Sequence, residues 1–260
     1  MRIKTWIVIL FCLLLCGCGK AKPAETVDTT AWLNMGLTFP VVDDLPDGEG
    51  RQAKVILLLG QSNATGCSLT SYLQAQVKPE EYAVFQAGYP SVRINFCMDD
   101  HKYSTQGAFI PTGLDCGAGV GYFGPELGMA QVLAQAYPDE QIFILKYTMS
   151  GYSLHHHKAF ASYLREDLAD YARPGGIYFI DAGISSSPYC LPAYPAINEA
   201  KERFAALSPL NLYFSTIDAG FTTLNEPEGN PDLGHYDALS ELELGRMFGR
   251  CILQAYEGQK

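Results

Sequence analysis

The stretch LLLGQSNATG, Leu57–Gly66, continues an apolar run that begins at Lys54, and it decides the fold class. A strand that is apolar at every position is typical of a parallel sheet buried on both faces. Ser62 follows this strand between two side-chain amides, so we expect it at the carboxyl edge of the sheet. Open α/β proteins keep their functional sites at that edge.

The rest of the chain alternates between apolar runs and amphipathic segments. Further strands are predicted at Ala83–Gly88, Gln141–Tyr147, Gly176–Ile184 and Asn211–Ile217, with a loop at Asn95–Tyr122. Helices are predicted at Pro125–Ala136 and at Lys158–Tyr171. A third helix is predicted to begin at Pro195, and its apolar face consists of Ile197, Ala200, Phe204 and Leu207. A fourth is predicted after an N-cap at Asp237, and its inward face consists of Leu239, Leu242, Met247, Phe248, Cys251 and Ile252. Such alternation predicts one domain over 51–260, a three-layer α/β/α sandwich with a mainly parallel sheet.

The first 18 residues are typical of an export signal. Arg2 and Lys4 precede an apolar run that is too short to span a bilayer as a folded helix. The sequence LLCGC ends this run and resembles the lipobox of bacterial lipoproteins, in which Cys18 is lipidated; a plain signal peptide or an N-terminal anchor helix is the alternative. Residues 19–50 are then predicted to form a tether and lead-in. We therefore expect an exported protein, held on the outside of the cytoplasmic membrane or on the outer membrane by a lipid anchor alone.

The charge of the chain limits its partners. It carries 18 basic and 28 acidic residues, and removal of Arg2 and Lys4 leaves 16 basic residues and a net charge of −12. Nucleic acid is repelled by such a chain, so neutral small molecules or glycans are the easier partners. No motif calls for a cofactor.

Five cysteines remain after the signal: Cys67, Cys97, Cys116, Cys190 and Cys251. Export permits a disulfide, and a pair between Cys97 and Cys116 is the first expectation, although spacing alone does not determine the pairing.

Three interpretations of GQSNATG compete. A phosphate loop needs four residues between its glycines and a following lysine, whereas here five residues intervene and Cys67 follows. The G-x-S-x-G nucleophile elbow also fails, because Ala64 stands where its last glycine belongs. A plain strand-to-helix turn and a nucleophile turn of another type stay open.

The segment NPDLGHYDA, Asn230–Ala238, favours the nucleophile. Asp232 lies three residues before His235, a spacing that lets the carboxylate bind one imidazole nitrogen and leaves the other to accept a hydroxyl proton. An Asp-x-x-His pair alone also fits a solvated loop histidine. Together with Ser62 it supplies the set of groups that acyl transfer requires.

These motifs resemble those of the SGNH (GDSL-like) hydrolases, in the carbohydrate acetylesterase branch that includes sialate O-acetylesterases. The similar segments are GQSN at Gly60–Asn63, FGPELGMA at Phe123–Ala130, KYTMSGYSL at Lys146–Leu154 and DLGHYDALSELELGRMF at the end. The resemblance covers about Val55 to Phe248. It implies a flavodoxin-like SGNH fold and a serine esterase that removes O-acetyl groups from carbohydrates through a covalent acyl-enzyme.

The resemblance also assigns residue roles. Ser62 is the expected nucleophile, His235 the general base and Asp232 its orienting carboxylate, while the backbone N–H groups of Ser62 and Gly151 form the oxyanion hole. Supporting roles are expected for Gln61 and Asn63, which brace the turn, and for an ion pair between Glu126 and Lys146. Two solvated charges are the alternative for that pair.

One departure from the family is clear. Members of this branch usually carry a tryptophan-led Q-G-E-S-D stretch after the glycine turn. This chain has no Q-G-E triplet, and only HHHKAF, His155–Phe160, separates Leu154 from the next helix. The segment and one strand are therefore expected to be missing, which leaves two alternatives. Either the oxyanion hole is completed differently, for example by one of these histidines, or the protein is a surface glycan-binding lipoprotein with a relict triad.

The triplet His155–His157 does not predict a metal site, because adjacent residues point in different directions and no ligand lies at suitable spacing. Aromatic residues in the loops near the sheet edge fit either sugar stacking or packing; they are Tyr122, Phe123, Tyr152, Tyr189 and Tyr194.

Overall fold

A computed structural model describes residues 5–12, 48–50, 52–150, 157–173 and 175–257, with side chains except at 5–12 and 157–159. The main sheet has the strand order β10-β9-β1-β2-β8-β4-β5, and β6 also pairs with β4. The strands are β1 (Thr5–Cys12), β2 (Ala53–Gly60), β4 (Tyr89–Met98), β5 (Tyr103–Ser104), β6 (Ile110–Thr112), β8 (Ile142–Thr148), β9 (Phe179–Ala182) and β10 (Asn211–Phe214). Two further strands of two residues each, β3 (Ser68–Leu69) and β7 (Tyr122–Phe123), pair with each other in a separate antiparallel sheet.

The sheet is mainly parallel. All contacts among β10, β9, β1, β2, β8 and β4 are parallel, and only β5 and β6 run antiparallel to β4. The predicted strand at Lys54–Gly60 is confirmed as β2, which lies between β1 and β8.

Helices cover both faces of this sheet. They are α1 (Ser62–Thr65), α2 (Thr70–Gln76), α3 (Pro79–Ala87), α4 (Pro125–Ala136), α5 (His157–Asp167), α6 (Tyr194–Ala205) and α7 (Ala238–Glu257), with a 3₁₀ turn at Ala169–Tyr171.

Alternate residues of β2 enter two different cores. Ile56 and Leu58 belong to the larger core, which α4 and α7 complete, whereas Val55 lies in a smaller core with Ala161 of α5. Successive side chains of a strand point to opposite faces, so the two cores lie on opposite sides of the sheet. The protein is thus a mixed α/β fold, compatible with the three-layer arrangement expected from the sequence.

Helices α4 and α7 approach each other closely through glycines. A Cβ on Gly128 would lie 2.0 Å from the Leu242 carbonyl oxygen, and one on Gly245 would lie 2.0 Å from that of Pro125. Both positions therefore require the absence of a side chain.

The predicted strand at Ala83–Gly88 is wrong, because these residues end α3 and the strand follows at Tyr89. Pro79 occupies the first turn of α3 with Glu80 and Glu81, which favour a helix N-terminus. The loop predicted at Asn95–Tyr122 is also wrong in part, since it contains the end of β4 together with β5, β6 and the first residue of β7.

The last two helices differ in detail from the prediction. On α7, Leu239 is exposed, whereas Leu242, Phe248 and Ile252 are buried. On α6, Ile197 and Phe204 pack inward, but Ala200 is exposed and Leu207 lies beyond the helix; Lys201 is the buried residue of this helix.

The carboxylate of Asp237, the predicted N-cap residue, binds backbone groups outside α7. Its oxygens accept hydrogen bonds from the backbone N–H groups of Asn225 and Glu226. The N–H of Ala238, at the start of α7, donates instead to Glu226 Oε2 at 2.7 Å.

The disulfide expected between Cys97 and Cys116 is not formed, because both are free thiols. The Cys97 Sγ lies 3.3 Å from His101 Nδ1, whereas Cys116 is buried near Lys146, so the two thiols occupy different environments.

The N-terminal strand β1 lies within the predicted signal peptide. It pairs with β2 over eight residues and with β9 over four. A mature form without Thr5–Cys12 would leave β2 and β9 without this neighbour, so the intact sheet requires the full-length protein. Cys18 and most of the predicted tether lie outside the described residues. Among those that are described, no helix is both long and apolar enough to cross a membrane.

Candidate active site

Ser62 is the first residue of α1, directly after the sheet edge at the end of β2. It is half-buried, while its neighbours Gln61 and Asn63 are buried. Helix α1 ends at Gly66, whose φ of +91° is left-handed and whose missing Cβ would lie 2.5 Å from the Gly124 backbone nitrogen. Glycine is required there by conformation and by space, and the turn is held tightly against the loop before α4.

Asn63 fastens this turn to the histidine loop. Its Nδ2 donates to the Gly234 carbonyl oxygen at 3.2 Å, and its Oδ1 accepts from the Tyr236 N–H at 3.0 Å. These partners flank His235 on both sides. Ser68 Oγ adds a third bond, donated to the Tyr236 carbonyl oxygen at 2.7 Å. One amide side chain therefore ties the residue after Ser62 to the residues before and after His235.

Gln61, the other predicted brace, contributes through its backbone. Its carbonyl oxygen accepts from the Thr65 N–H at 2.8 Å and from Thr65 Oγ1 at 3.4 Å, which closes the single turn of α1. Thr65 Oγ1 also lies 2.7 Å from Thr148 Oγ1 at the end of β8.

The Asp232–His235 pair has the predicted geometry. Asp232 Oδ2 lies 2.6 Å from His235 Nδ1, and Oδ1 accepts from the Gly234 N–H at 3.0 Å. Partial burial raises the pKa of Asp232, but these hydrogen bonds and the charge of His235 outweigh it and lower the pKa. A carboxylate on Nδ1 leaves Nε2 as the histidine atom available for a hydroxyl proton.

Ser62 and His235 are not hydrogen-bonded to each other in this structure, although both lie within its described part. Catalytic hydrogen bonds of free enzymes are often long and tighten only when substrate is bound. The three ties between Asn63, Ser68 and residues 234–236 keep the two candidate groups on adjoining segments.

A pocket of about 460 Å³ opens beside His235. Its other lining residues come from the β3 region, from β7 and from two loops; they are Cys67, Ser68, Leu69, Tyr122, Tyr189, Glu226, Pro227, Asn230, Pro231, Asp232, Leu233 and Tyr236.

Glu126 and Lys146 form a fully buried ion pair beneath the turn. The Nζ of Lys146 lies 2.6 Å from Glu126 Oε2 and also donates to the carbonyl oxygens of Thr65 and Cys116, each at 2.9 Å. Glu126 Oε1 accepts from the Gly124 N–H at 2.8 Å. The alternative of two solvated charges is excluded, and Lys146 contacts α1 directly.

Sequence reasoning missed a third charged group here. Glu241 of α7 is fully buried, its carboxylate has no hydrogen-bond partner among the described residues, and its charge interacts with those of Glu126 and Lys146. Burial raises the pKa of Glu241 well above 4.5, and the charge of Glu126 raises it further. The sequence did indicate this burial, because Glu241 falls on the apolar face of a predicted helix.

Ser150, the residue before Gly151, is held by the side chain of Asp99, which the sequence analysis did not identify. Asp99 accepts hydrogen bonds from the Ser150 N–H at 2.7 Å and from Ser150 Oγ at 3.1 Å. Asp99, Asp100 and His101 all have φ between 49° and 68°, an uncommon conformation for residues other than glycine. Gly151 itself lies outside the described residues.

The predicted aromatic residues are divided. Tyr122 and Tyr189 line the pocket, Phe123 is buried in the larger core, and Tyr194 lines another pocket, beside β10. Tyr152, His155 and His156 lie outside the described residues, and His157 is the first residue of α5. In the described part of the chain no cluster of histidine, cysteine and acidic side chains could hold a metal ion.

No family model matches the chain, and no curated protein matches it. Among solved structures, the chain is similar to a protein from Arabidopsis thaliana, AT4G34215, determined by X-ray crystallography. The two share 12% sequence identity, the match covers 77% of this chain and 97% of the plant protein, and the TM-score is 0.46. The fold class rests on the chain's own topology: it is a mixed α/β protein with a mainly parallel central sheet.

Proposed function

We propose that the protein is a serine esterase of the SGNH type that removes O-acetyl groups from carbohydrates. The observation that carries the proposal is the 2.6 Å contact between Asp232 and His235 on a loop that Asn63 ties to the serine turn. A hydroxyl is a weak nucleophile, so Ser62 needs an adjacent base of this kind.

The chemistry requires two acyl transfers. Ser62 Oγ attacks the acetyl carbonyl carbon while His235 Nε2 takes the hydroxyl proton, and the tetrahedral intermediate expels the sugar oxygen, which receives that proton from His235. Water then gives a proton to His235 and attacks the acetyl-serine, the bond from Ser62 Oγ to the acetyl carbon breaks, and Ser62 regains the proton as acetate leaves.

Two further elements belong to this proposal. The backbone N–H groups of Ser62 and Gly151 stabilise the oxyanion, a contribution that is worth about a hundredfold or more in rate for one donor. Lipidation at Cys18 would hold the enzyme outside the cytoplasmic membrane; it is supported by the sequence of the first 18 residues alone, and the cleavage that precedes it would remove β1 from the sheet.

A second candidate is a glycan-binding lipoprotein with a relict triad. The missing Q-G-E segment and the absence of a hydrogen bond between the described residues Ser62 and His235 favour it. The pocket beside His235 suits a sugar in either case.

The test is acetate release by the full-length protein from acetylated xylan, O-acetylated sialic acid and a small activated acetyl ester. Ser62→Ala should abolish release, whereas Ser71→Ala, at an exposed serine of α2 outside the pocket lining, should retain it. A fluorophosphonate probe should label Ser62 in the wild type. A folded protein that neither reacts with the probe nor releases acetate, but binds glycans, would establish the second candidate.

A further inference from the structure

The pocket beside His235 is lined by negative charge. Glu226 and Asp232 both contribute to its wall, and its lining includes no lysine or arginine from the described chain. A third carboxylate, Asp237, lies buried directly behind Glu226 and accepts the Glu226 N–H at 3.1 Å. The N-terminus of α7 offsets only part of this charge, since a helix end is equivalent to roughly half a positive charge.

Glu226 is held in the wall by uncharged donors. Its Oε1 accepts from Gln76 Nε2 at 2.6 Å and its Oε2 from the Ala238 N–H at 2.7 Å. Its backbone carbonyl oxygen accepts from the Asp232 N–H at 2.8 Å, which links the two acidic residues through the main chain. Because these donors carry no full charge, the negative charge of Glu226 is oriented but not neutralised.

The thiol of Cys67, also in the pocket wall, lies in the field of Asp232. Burial first, and then the charges of Glu241, Asp99 and Asp232, raise the pKa of Cys67 to about 12 against the lowering effect of Lys146. Lys102, an exposed lysine whose charge interacts with Cys67, lies over the Tyr103 ring, 4.9 Å from its centroid.

The remaining walls suit an uncharged ring. Tyr122 lines the pocket, and Tyr189 lies beside Gly234 with 63% of its surface exposed. Aromatic faces of this kind bury the apolar side of a sugar. Asn230, in the same lining, offers an amide for hydroxyl groups.

We infer that the pocket takes an acetylated sugar without negative charge, and that Glu226 is a specificity-determining residue that rejects anionic sugars such as sialic acid and uronic acids. The inference rests on the proposed esterase function. Like charges roughly 7 Å apart in a water-like dielectric lower binding about threefold each, so Glu226 and Asp232 together disfavour an anionic sugar about tenfold.

The experiment uses two matched esters, methyl 3-O-acetylglucoside and methyl 3-O-acetylglucuronate, which differ only in the group at C6. The neutral glucuronamide serves as a third substrate that controls for shape. We expect kcat/KM of the full-length protein to be about tenfold lower for the glucuronate at low ionic strength, and the difference to shrink with added salt.

Glu226→Gln should raise the ratio of the glucuronate to the glucoside value about threefold. Glu228→Gln, an exposed charge on the same loop but outside the pocket lining, should change that ratio less. Thermal unfolding of both variants shows whether they are folded, and the salt dependence of the wild type tests the inference without any substitution.

The outcomes separate the two proposals. Ser62-dependent hydrolysis of the glucuronate at a rate equal to or above that of the glucoside overturns the inference and leaves the esterase intact. If the folded protein hydrolyses neither sugar ester but still cleaves the small activated acetyl ester in a Ser62-dependent manner, the inference is overturned and the esterase stands. If it cleaves none of the three, the proposed function is overturned, and the inference with it.

Discussion

Removal of the Asn63 side chain tests the tie between the serine turn and the histidine loop. Asn63→Ala deletes two hydrogen bonds, to the Gly234 carbonyl oxygen and from the Tyr236 N–H. Each contributes about 1 kcal/mol, and the buried Tyr236 N–H left without a partner adds about 1 kcal/mol or more. We expect the free energy of unfolding to fall by about 3 kcal/mol, which lowers Tm by roughly 6–12 °C.

Urea unfolding of the full-length protein measures the loss of stability, and acetate release measures the effect on the site. Ser68→Ala is the matched control, because it removes one hydrogen bond to Tyr236 but leaves both bonds of Asn63. We expect it to cost about 1 kcal/mol and to retain more activity than Asn63→Ala. A loss below about 0.5 kcal/mol for Asn63→Ala, with unchanged activity, would refute the role of this amide.

Four other substitutions follow from the same structure. Glu241→Gln should remove a pH dependence: burial raises the folded-state pKa, so the stability of the wild type should fall by up to about 1.4 kcal/mol per pH unit as pH rises above 4.5 towards that pKa, and parallel pH curves for the two proteins would contradict this. Glu126→Ala should cost about 3–5 kcal/mol because it leaves the Lys146 ammonium buried with only carbonyl partners, and a double change to Glu126→Leu with Lys146→Met should recover most of the loss in urea unfolding. Asp99→Ala should lower kcat about tenfold with little change in KM if the Ser150 turn positions the oxyanion donor, and Asp99→Asn should recover part of kcat; equal changes in both parameters would speak against this role. Gly128→Ala should cost at least about 2 kcal/mol, because its Cβ would lie 2.0 Å from the Leu242 carbonyl oxygen, whereas Gly48→Ala meets no atom within 4 Å and should be near neutral in the same measurement.

Local sequence patterns predicted most of the regular elements. The apolar runs at Val55–Leu59 and Ile142–Leu145 became parts of β2 and β8, and Pro125 became the first residue of α4. The prediction failed at Ala83–Gly88 because a short apolar run fits a strand and one helical face equally well. The first turn of α3, with Pro79 and two glutamates, was the feature that distinguishes them.

In the candidate site, too, local sequence patterns predicted some residues and missed others. Local spacing was sufficient for Asp232 and His235, which are three residues apart and lie in contact. It was not sufficient for Glu226 or Glu241, whose importance comes from what surrounds them. An acidic residue in a loop and one in a helix look ordinary in a sequence, because burial and neighbouring charges are not local properties.

The sequence by itself determined the α/β class, the turn at Ser62 and the pairing of Asp232 with His235, since each depends on residues close together in the chain. Only the tertiary structure decided that Asn63 reaches Gly234 and Tyr236, that Lys146 lies between Glu126 and the carbonyl oxygen of Thr65, and that Cys97 and Cys116 do not form a disulfide. These contacts join residues up to 173 positions apart. They depend on the order of strands in the sheet and on helix packing, which the periodicity of side chains does not specify.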